Sequence, residues 1–281
     1  MDQQLQEIRA QQKASWNKFS SGWKKWDDLV IQFLQPMGHE IIEQLNLKAN
    51  DSVLDIAGGT GEPGLTIASI VKDGKVMITD IAEEMLAIAA ENAAKKNVTN
   101  VATKVCDVCE LPFADNSFDA ISCRFGYMFF PDLLLATKEM VRVLKPGGRI
   151  AVSVWGAAEK NFWVTAVGGT INQNMQLDPP PPGAPGMFRC AENGMIQNLF
   201  KAAGLNHTAE KEVNSSLELE SAEIYWNMMT EVAAPFVAAL SKADHEMKAK
   251  IKREVFQKIN QKLGSDTISL NGNALVISGE K

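Results

Sequence analysis

Glycines and acids in the first third of the sequence have the types and spacing of a nucleoside-binding site. The stretch VLDIAGGTGEPG, residues 53–64, contains the pattern G-x-G-x-x-G, whose glycines allow the backbone to approach a ligand closely. Asp80 follows at a place where a carboxylate can accept hydrogen bonds from both ribose hydroxyls. Nicotinamide-dependent enzymes share both features, so the pattern indicates a nucleoside without identifying it.

Two residues in this stretch disfavour a ligand that carries phosphates. A pyrophosphate binds the backbone N–H groups at the start of the following helix, and Pro63 has no N–H to donate there. Asp55 brings a negative charge close to where the phosphates would lie. Both residues suit a ligand without phosphates, and Asp55 suits one with positive charge. S-adenosylmethionine fits, because it has an adenosine, a sulfonium and an ammonium and no phosphate.

Apolar segments of strand length alternate with helical patterns and position these residues at strand ends. In an open α/β sheet, ligands bind at the carboxyl ends of the strands where the winding reverses, and the first βα turn lies there. The alternation predicts a parallel sheet wound on both faces. The predicted strands are SVLDIA, KVMITD, NVATKVC, FDAISC and GRIAVSVW; the predicted helices are GEPGLTIASIV, AEEMLAIAAENAAKK and DLLLATKEMVRVL, followed by KPGG at 145–148 as a stop and turn.

The motifs VLDIAGGTG, ITDIAEEML, CDVCELPFADNSFDAI and MVRVLKPGGRIAVSVW occur in the order and spacing of a known family. The chain resembles the class I S-adenosylmethionine-dependent methyltransferases, most closely the ubiquinone/menaquinone-type (methyltransferase type 11) branch that acts on small molecules. The resemblance covers residues 50–155 strongly and the rest loosely. It implies a doubly wound, mostly parallel, seven-stranded Rossmann-like α/β sheet whose last strand is antiparallel, with final strands at about 206–219 and 267–278. It also implies S-adenosylmethionine as cofactor and S-adenosylhomocysteine as product.

The residues of these motifs predict the cofactor site. Asp107 follows the third strand, where its carboxylate could accept from the adenine amino group while Val108 donates its backbone N–H. The resemblance implies that Asp55 and the loop glycines line the methionine end, and that Arg124 faces the cofactor or the acceptor. Ala57 replaces the first glycine of the usual D-x-G-x-G-x-G, which is a mild change. The predicted cofactor-binding residues are Asp55, Ala57, Gly58, Gly59, Thr60, Gly61, Asp80, Ile81, Met85, Asp107, Val108 and Arg124.

Each of these polar residues also has a purely structural interpretation. Asp55 could cap the glycine turn, and Asp80 could be the N-cap of the helix that follows it, since acids are favoured there. Asp107 could be a turn residue, and Arg124 could form a structural ion pair.

The acceptor pocket is predicted from aromatic and apolar residues near the strand ends and in the outer segments. Those residues are Trp23, Tyr127, Met128, Trp155, Phe188 and Arg189, each of which could instead serve packing or lie at the surface. Trp16 and Trp26 share a helical face with Trp23 and could be part of the same packing surface. The three histidines, His39, His207 and His245, do not follow the fourth strand, and no catalytic residue is assigned.

The outer segments predict a helical cap and two insertions around the core. Gly22 is predicted to split a first helix that ends at Pro36, and GHEIIEQLNL is predicted as a short helix after it. The proline-rich DPPPPGAPG predicts a loop, and helices are predicted at AENGMIQNLFKAAG, SAEIYWNMMTEVAAPFVAALS and ADHEMKAKIKREVFQKINQKLG. The predicted divisions are an N-terminal cap (1–49), the cofactor-binding core (50–155), a lid insertion (156–189), a core continuation (190–220), a helical insertion (221–265) and the last core strand (266–281).

The composition and charge of the chain limit the kinds of molecule that it is expected to bind. The net charge of −6 and the pI near 5.3 argue against nucleic-acid binding, which needs a basic surface. The N-terminus lacks an apolar signal region and no stretch is long enough to span a membrane, so a cytoplasmic location is expected. Cys106 and Cys109 form a C-x-x-C without the further ligands of a zinc site, so no metal is expected. Whether the chain is a monomer or a homodimer stays open.

The sequence therefore predicts an S-adenosylmethionine-dependent methyltransferase that acts on a small, largely apolar or aromatic molecule, by C- or O-methylation. Two alternatives stay open. One is an enzyme that binds the same cofactor and catalyses a cyclisation or rearrangement. The other is a nicotinamide-dependent oxidoreductase, which Pro63 and Asp55 disfavour.

Overall fold

The computed structural model describes residues 3–178, 180–264 and 267–281, and within these ranges the chain forms seven strands and ten α-helices. The strands are β1 (Ser52–Ile56), β2 (Lys75–Asp80), β3 (Val101–Val105), β4 (Phe118–Arg124), β5 (Leu144–Trp155), β6 (Asn206–Leu219) and β7 (Ile268–Glu280). The helices are α1 (Gln3–Lys25), α2 (Asp27–Leu45), α3 (Gly64–Ile70), α4 (Glu83–Lys95), α5 (Leu133–Val143), α6 (Phe162–Met175), α7 (Met195–Ala202), α8 (Ala222–Val232), α9 (Ala234–Leu240) and α10 (His245–Leu263).

All seven strands join one sheet in the order β3-β2-β1-β4-β5-β7-β6. The β7 strand is antiparallel to both β5 and β6, while the pairs formed by β1 to β5 are parallel. The predicted fold class, with its antiparallel last strand, is confirmed. The chain winds outward from β1 to β3 and returns to β4 beside β1, so the winding reverses between β1 and β4. The carboxyl ends of those two strands therefore form the crevice in which a ligand of such a fold binds.

The two N-terminal helices are longer than their sequence pattern predicts. Gly22 does not split α1, and Pro36 lies inside α2 instead of ending it. The α2 helix packs across β4, β5, β6 and β7, and its residues Met37 and Ile41 are fully buried. Packing of this face compensates for the backbone hydrogen bond that Pro36 cannot donate.

Three other segments differ from their prediction. The predicted turn KPGG lies inside β5, which begins at Leu144, and the register with β4 shifts there, so these residues bulge out of the strand. The α6 helix occupies part of the insertion for which no helix is predicted. The predicted helix at 221–241 is two helices, because the backbone is extended at Ala233 and Pro235 lies in the first turn of α9.

The proline-rich stretch after α6 forms turns and irregular loop, as predicted, although Pro179 lies outside the described residues. The division into cap, core and insertions stays a prediction, and its boundary at 265 and 266 also falls outside the described residues. In the part of the chain that the structure describes, every helix is too short or too polar to cross a membrane.

Candidate active site

A cavity of about 120 Å³ lies at the carboxyl ends of β1, β2, β3 and β4, where the winding of the sheet reverses. Its floor comes from the loops that follow these strands, and its roof comes from α1. The lining residues are Gln12, Trp16, Trp23, Leu34, Ile56, Ala57, Gly58, Gly59, Thr60, Glu62, Thr79, Asp80, Ile81, Met85, Cys106, Asp107, Val108, Arg124, Phe125, Gly126, Phe129, Phe130 and Pro131. Ten of the twelve predicted cofactor-binding residues are in this set, and Asp55 and Gly61 lie behind it.

The loop after β1 follows a path that small residues permit. Gly59 and Gly61 have φ angles of +55° and +116°, and Ala57 has +53°, in the left-handed region that side chains disfavour. A Cβ atom on Gly58 would overlap the side chain of Ile78 on β2. The loop therefore lies flat against the sheet and presents backbone to the cavity, which is the close approach that the glycine pattern predicts.

The backbone N–H groups at the start of α3 are all occupied by acceptors of the chain itself. Gly64 N–H donates to Asp55 Oδ2 at 3.1 Å, and Thr66 N–H donates to Glu62 Oε2 at 3.1 Å. Leu65 N–H donates to a loop carbonyl at 2.8 Å. A phosphate at this helix end would have to displace these acceptors, two of which are carboxylates. The start of α3 therefore fits a nucleoside without phosphates and does not fit a pyrophosphate.

Asp55 is fully buried beneath the loop and serves to hold it. Besides the bond from Gly64, its Oδ1 accepts a 2.5 Å hydrogen bond from the hydroxyl of Ser122 on β4. Burial raises the pKa of Asp55 to about 7, against the opposing influence of these hydrogen bonds and of the Arg124 charge. Its position matches the structural interpretation of a cap on the glycine turn, and direct contact with a cofactor stays a prediction.

Asp80 ends β2 and lies in the cavity wall with its carboxylate fixed by backbone donors. Gly59 N–H donates to Oδ2 at 3.1 Å and Ala82 N–H donates to Oδ1 at 2.9 Å. Burial raises the pKa of Asp80, because desolvation outweighs these hydrogen bonds. Each oxygen retains a lone pair for a further donor, so the carboxylate can accept from two neighbouring hydroxyls.

Asp107 follows β3 and is held by one hydrogen bond and by one ion pair that lacks hydrogen-bond geometry. Its Oδ1 accepts from Cys109 N–H at 2.7 Å, and its Oδ2 lies 2.5 Å from Nε of Arg9 on α1. The side chains of Arg9 and Asp107 are only 15% and 18% exposed. Val108 is adjacent in the lining of the cavity, so the structure brings together the two residues predicted for adenine.

Arg124 at the end of β4 is the one cationic side chain among the described residues that line the cavity. Burial lowers its pKa, and the charges of Glu62, Asp55 and Asp27 oppose that effect. Glu62 in turn has a lowered pKa despite its burial, because Lys96 and Thr66 donate hydrogen bonds to it. A guanidinium in this position can bind a carboxylate of a ligand.

Uncharged aromatic side chains cover the opposite side of the cavity. The ring of Trp16 on α1 makes edge-to-face contacts with Trp23 at 6.0 Å and with Phe129 at 5.3 Å, between ring centroids. Trp23 donates its indole N–H to the carbonyl of Val232 at the end of α8. This wall suits a flat, apolar ligand.

Five of the six residues predicted for the acceptor pocket lie elsewhere, and Trp23 alone of these described residues lines the cavity. A single helical turn after β4 directs Phe129 into the cavity and buries Tyr127 and Met128 in the core. Trp155 lies one layer behind the cavity, stacked at 4.1 Å on Phe125.

The last two residues of that prediction belong to the turn that follows the proline-rich loop. Phe188 packs against the core, and Arg189 donates a hydrogen bond to the carbonyl of Phe130. Arg189 is thus neither a solvated side chain nor a lining residue.

The cysteines and histidines show no arrangement for metal or redox chemistry in the described ranges 3–178, 180–264 and 267–281. Cys106 and Cys109 are free thiols, and burial raises the pKa of each to about 11, which disfavours the reactive thiolate. The described residues contain no group of three potential metal ligands. His39, His207 and His245 are all exposed.

Several lining residues are absent from the sequence prediction. Gln12 belongs to MDQQLQEIRAQQK, whose polar composition gives no local sign of a helix that covers a cavity, and the same segment contains Arg9, which pairs with the lining residue Asp107. Phe125 and Gly126 follow β4 directly, so the rule that strand ends form the site could have included them. Glu62 could have been recognised as a loop residue between two of the glycines.

The sheet order, the glycine loop and the acids after β2 and β3 together form the fold of the class I S-adenosylmethionine-dependent methyltransferases. The ubiE/COQ5 methyltransferase family matches residues 16–162 of the sequence, which is more than half of the chain. The chain belongs to this family.

Individual relatives are similar over the same part of the chain. The ubiquinone/menaquinone biosynthesis C-methyltransferase UbiE of Cellvibrio japonicus is 41% identical over 113 residues, which are 40% of this chain and 45% of that protein. The demethylmenaquinone methyltransferase of Shouchella clausii is 35% identical over 137 residues, or 47% and 58% of the two chains. The chain thus spans about half the length of these curated relatives.

A solved structure extends the likeness of the fold beyond that segment. The YcgJ protein of Bacillus subtilis superposes with a TM-score of 0.57 at 23% identity, over 87% of this chain and 97% of that one. At this identity the likeness concerns the fold alone.

Proposed function

We propose that this protein transfers a methyl group from S-adenosylmethionine to carbon or oxygen of a small, largely apolar molecule with a hydroxylated aromatic ring. Support comes from the relatives named as a ubiquinone/menaquinone biosynthesis C-methyltransferase and a demethylmenaquinone methyltransferase, which this chain matches over about half of their length. The observation that carries the proposal is the division of the cavity into a polar floor and an uncharged aromatic wall.

The floor supports the cofactor through residues whose geometry is already fixed. Asp80, aimed by Gly59 and Ala82, would hold the ribose, and Asp107 with Val108 would hold the adenine. Arg124 would bind the carboxylate of the methionine part, or an anionic group of the acceptor. Absence of free N–H donors at the start of α3, together with these acids, supports a cation-bearing nucleoside over a dinucleotide.

The bound cofactor supplies an electrophilic methyl group on a sulfonium. The chain's part is to align the acceptor with it and to exclude water. Trp16, Trp23 and Phe129 would hold a flat ring between α1 and the turn after β4. These walls carry no group that removes a proton, which suits an acceptor that ionises in water, such as a phenol or a hydroquinone.

An acceptor screen tests this function. Purified protein and S-adenosylmethionine are incubated with a short-chain demethylmenaquinol, a simple catechol and an aliphatic amine, and S-adenosylhomocysteine is measured by mass spectrometry. We expect release with the hydroxylated aromatics and none with the amine. The Asp80→Ala variant serves as control for cofactor-dependent turnover.

Two results would contradict the proposal. Turnover of the amine but of neither aromatic would show that the aromatic wall does not select the acceptor. Conversion of an acceptor into an isomer, without S-adenosylhomocysteine, would indicate the cyclisation or rearrangement that is the alternative for this fold.

A further inference from the structure

The α1 helix covers the cavity, and its C-terminal end packs very closely on α8. Gly22 packs so closely on α8 that a Cβ atom would overlap the backbone oxygen of Glu231. The Glu231 carboxylate also accepts hydrogen bonds from Lys25 Nζ at 2.7 Å and from Trp26 Nε1 at 2.9 Å. This end of α1 is therefore fixed by close packing and by the residues that follow it.

The N-terminal half of α1 is held over the cavity by polar contacts that differ in burial. Lys13 pairs with Glu83 at 3.2 Å, with side chains 43% and 58% exposed, and such exposed pairs contribute little. Arg9 pairs with Asp107 at 2.5 Å, with side chains 15% and 18% exposed. The Arg9–Asp107 pair is thus the better shielded attachment of this half of α1.

The Arg9–Asp107 pair involves the residue that would recognise the adenine, which is Asp107. Cys109 N–H donates a hydrogen bond to Oδ1 of Asp107, and the Arg9 guanidinium forms an ion pair with Oδ2 that lacks hydrogen-bond geometry, so one backbone donor and one cation hold the carboxylate. Each oxygen keeps a second lone pair, and Asp107 lines the cavity. A ligand amino group can therefore bind the same carboxylate that holds α1 down.

We propose that Arg9 is a positioning residue of the adenine subsite, which aims Asp107 at the adenine amino group and couples closure of α1 to recognition of the base. The proposal rests on the function given above. Arg9 acts through Asp107, which becomes mobile and hydrated when the guanidinium is removed. Binding of the adenine is then weaker, and the base is distinguished less well from one that lacks the amino group.

The test compares two ligands on matched variants. The ligands are S-adenosylhomocysteine and its hypoxanthine analogue, in which an oxo group replaces the amino group; calorimetry gives both dissociation constants. The variants are Arg9→Gln, Arg9→Lys and Lys13→Gln, of which the last removes a cation one turn further along the same helix. Thermal melting establishes whether each variant is folded. If Arg9→Gln does not fold, the comparison is made with Arg9→Lys.

The expected result is a change in discrimination and not only in affinity. The wild type and Lys13→Gln should prefer adenine by about 10-fold or more, and Arg9→Gln should lose most of that preference. Arg9→Lys should lie between them, because it keeps the charge without the guanidinium geometry. Hydrogen exchange of the peptide 3–25 should slow on binding of S-adenosylhomocysteine in the wild type and in Lys13→Gln, and less so in Arg9→Gln.

The outcomes separate this proposal from the proposed function. If Arg9→Gln and Lys13→Gln weaken both ligands equally, α1 is only a roof and the proposal is overturned. The same holds if Arg9→Gln keeps the wild-type preference. If the wild type itself does not bind S-adenosylhomocysteine, the proposed function fails first.

Discussion

The buried carboxylate of Asp55 makes the stability of this protein depend on pH in an unusual direction. Burial raises the pKa of Asp55 from the ordinary value of 3.8 to about 7 in the folded chain. Between these two values the folded state binds more protons than the unfolded state. The free energy of unfolding therefore falls as the pH rises through this window, and it levels off above pH 7.

The Asp55→Asn variant isolates this contribution. An amide can accept from Gly64 N–H through its oxygen and donate to Ser122 Oγ through its nitrogen, so the contacts survive while the charge is removed. From the two pKa values, the wild type should lose about 2–3 kcal/mol between about pH 5 and about pH 8 through this group alone. The variant should not show this loss, so it gains stability relative to the wild type as the pH rises.

Urea unfolding followed by tryptophan fluorescence, at several pH values, measures this difference, provided that the slope of the transition is the same in both proteins. Asp119→Asn is the matched control, because its pKa is shifted the other way. Burial raises the pKa of Asp119, but the hydrogen bonds from Lys145 and from Ser52 N–H, together with the Lys145 charge, outweigh burial and lower the pKa. That carboxylate stabilises the fold at neutral pH, and the stabilisation is lost as the pH falls through its folded pKa. Asp119→Asn should therefore lose stability relative to the wild type as the pH rises.

A stability difference between Asp55→Asn and the wild type that stays constant from acid to alkaline pH would refute this reasoning. It would mean that Asp55 titrates as an exposed carboxylate does, and that its burial costs the folded state nothing.

Two further substitutions test the site and its roof. Asp80→Ala should weaken binding of S-adenosylhomocysteine by about 1.5–3 kcal/mol in calorimetry if the carboxylate holds the ribose. Normal binding with early melting would instead show that Asp80 only holds the N–H groups of Gly59 and Ala82. Gly22→Ala should lower the free energy of unfolding by about 1–3 kcal/mol in urea titrations, because the new Cβ atom meets the backbone of Glu231. A variant as stable as the wild type would contradict the close packing of α1 on α8.

The central strands β1 and β4 are predictable from sequence because they are buried on both faces. In β1 and β4 nearly every residue is buried, so each strand appears in the sequence as an apolar run bounded by turn residues. The loops that follow such strands meet at one edge of the sheet, which is why Asp80, Asp107 and Arg124 could be assigned to one site.

The outer segments follow long-range packing that local sequence patterns do not contain. Pro36 is tolerated because the face of α2 around it is buried against the sheet, a fact that no neighbouring residue reveals. The α6 helix contains Gly168 and Gly169, which disfavour a helix, and it forms because one of its faces is buried. The role of Arg9 depends on a contact with Asp107, nearly a hundred residues away.

The preference for a cofactor without phosphates also has a local cause and a long-range cause. From sequence, the negative charge of Asp55 and the missing N–H of Pro63 both disfavour phosphates. In the structure, the N–H groups of Gly64 and Thr66 are occupied by acceptors, and these would exclude a phosphate even without a charge at position 55. Asp55→Asn should therefore still fail to bind NAD in calorimetry while it binds S-adenosylhomocysteine, because its amide oxygen keeps Gly64 N–H occupied and Glu62 is unchanged. Measurable binding of NAD by Asp55→Asn, at the expense of S-adenosylhomocysteine, would show that charge alone sets the preference and that the hydrogen bonds at the start of α3 are incidental.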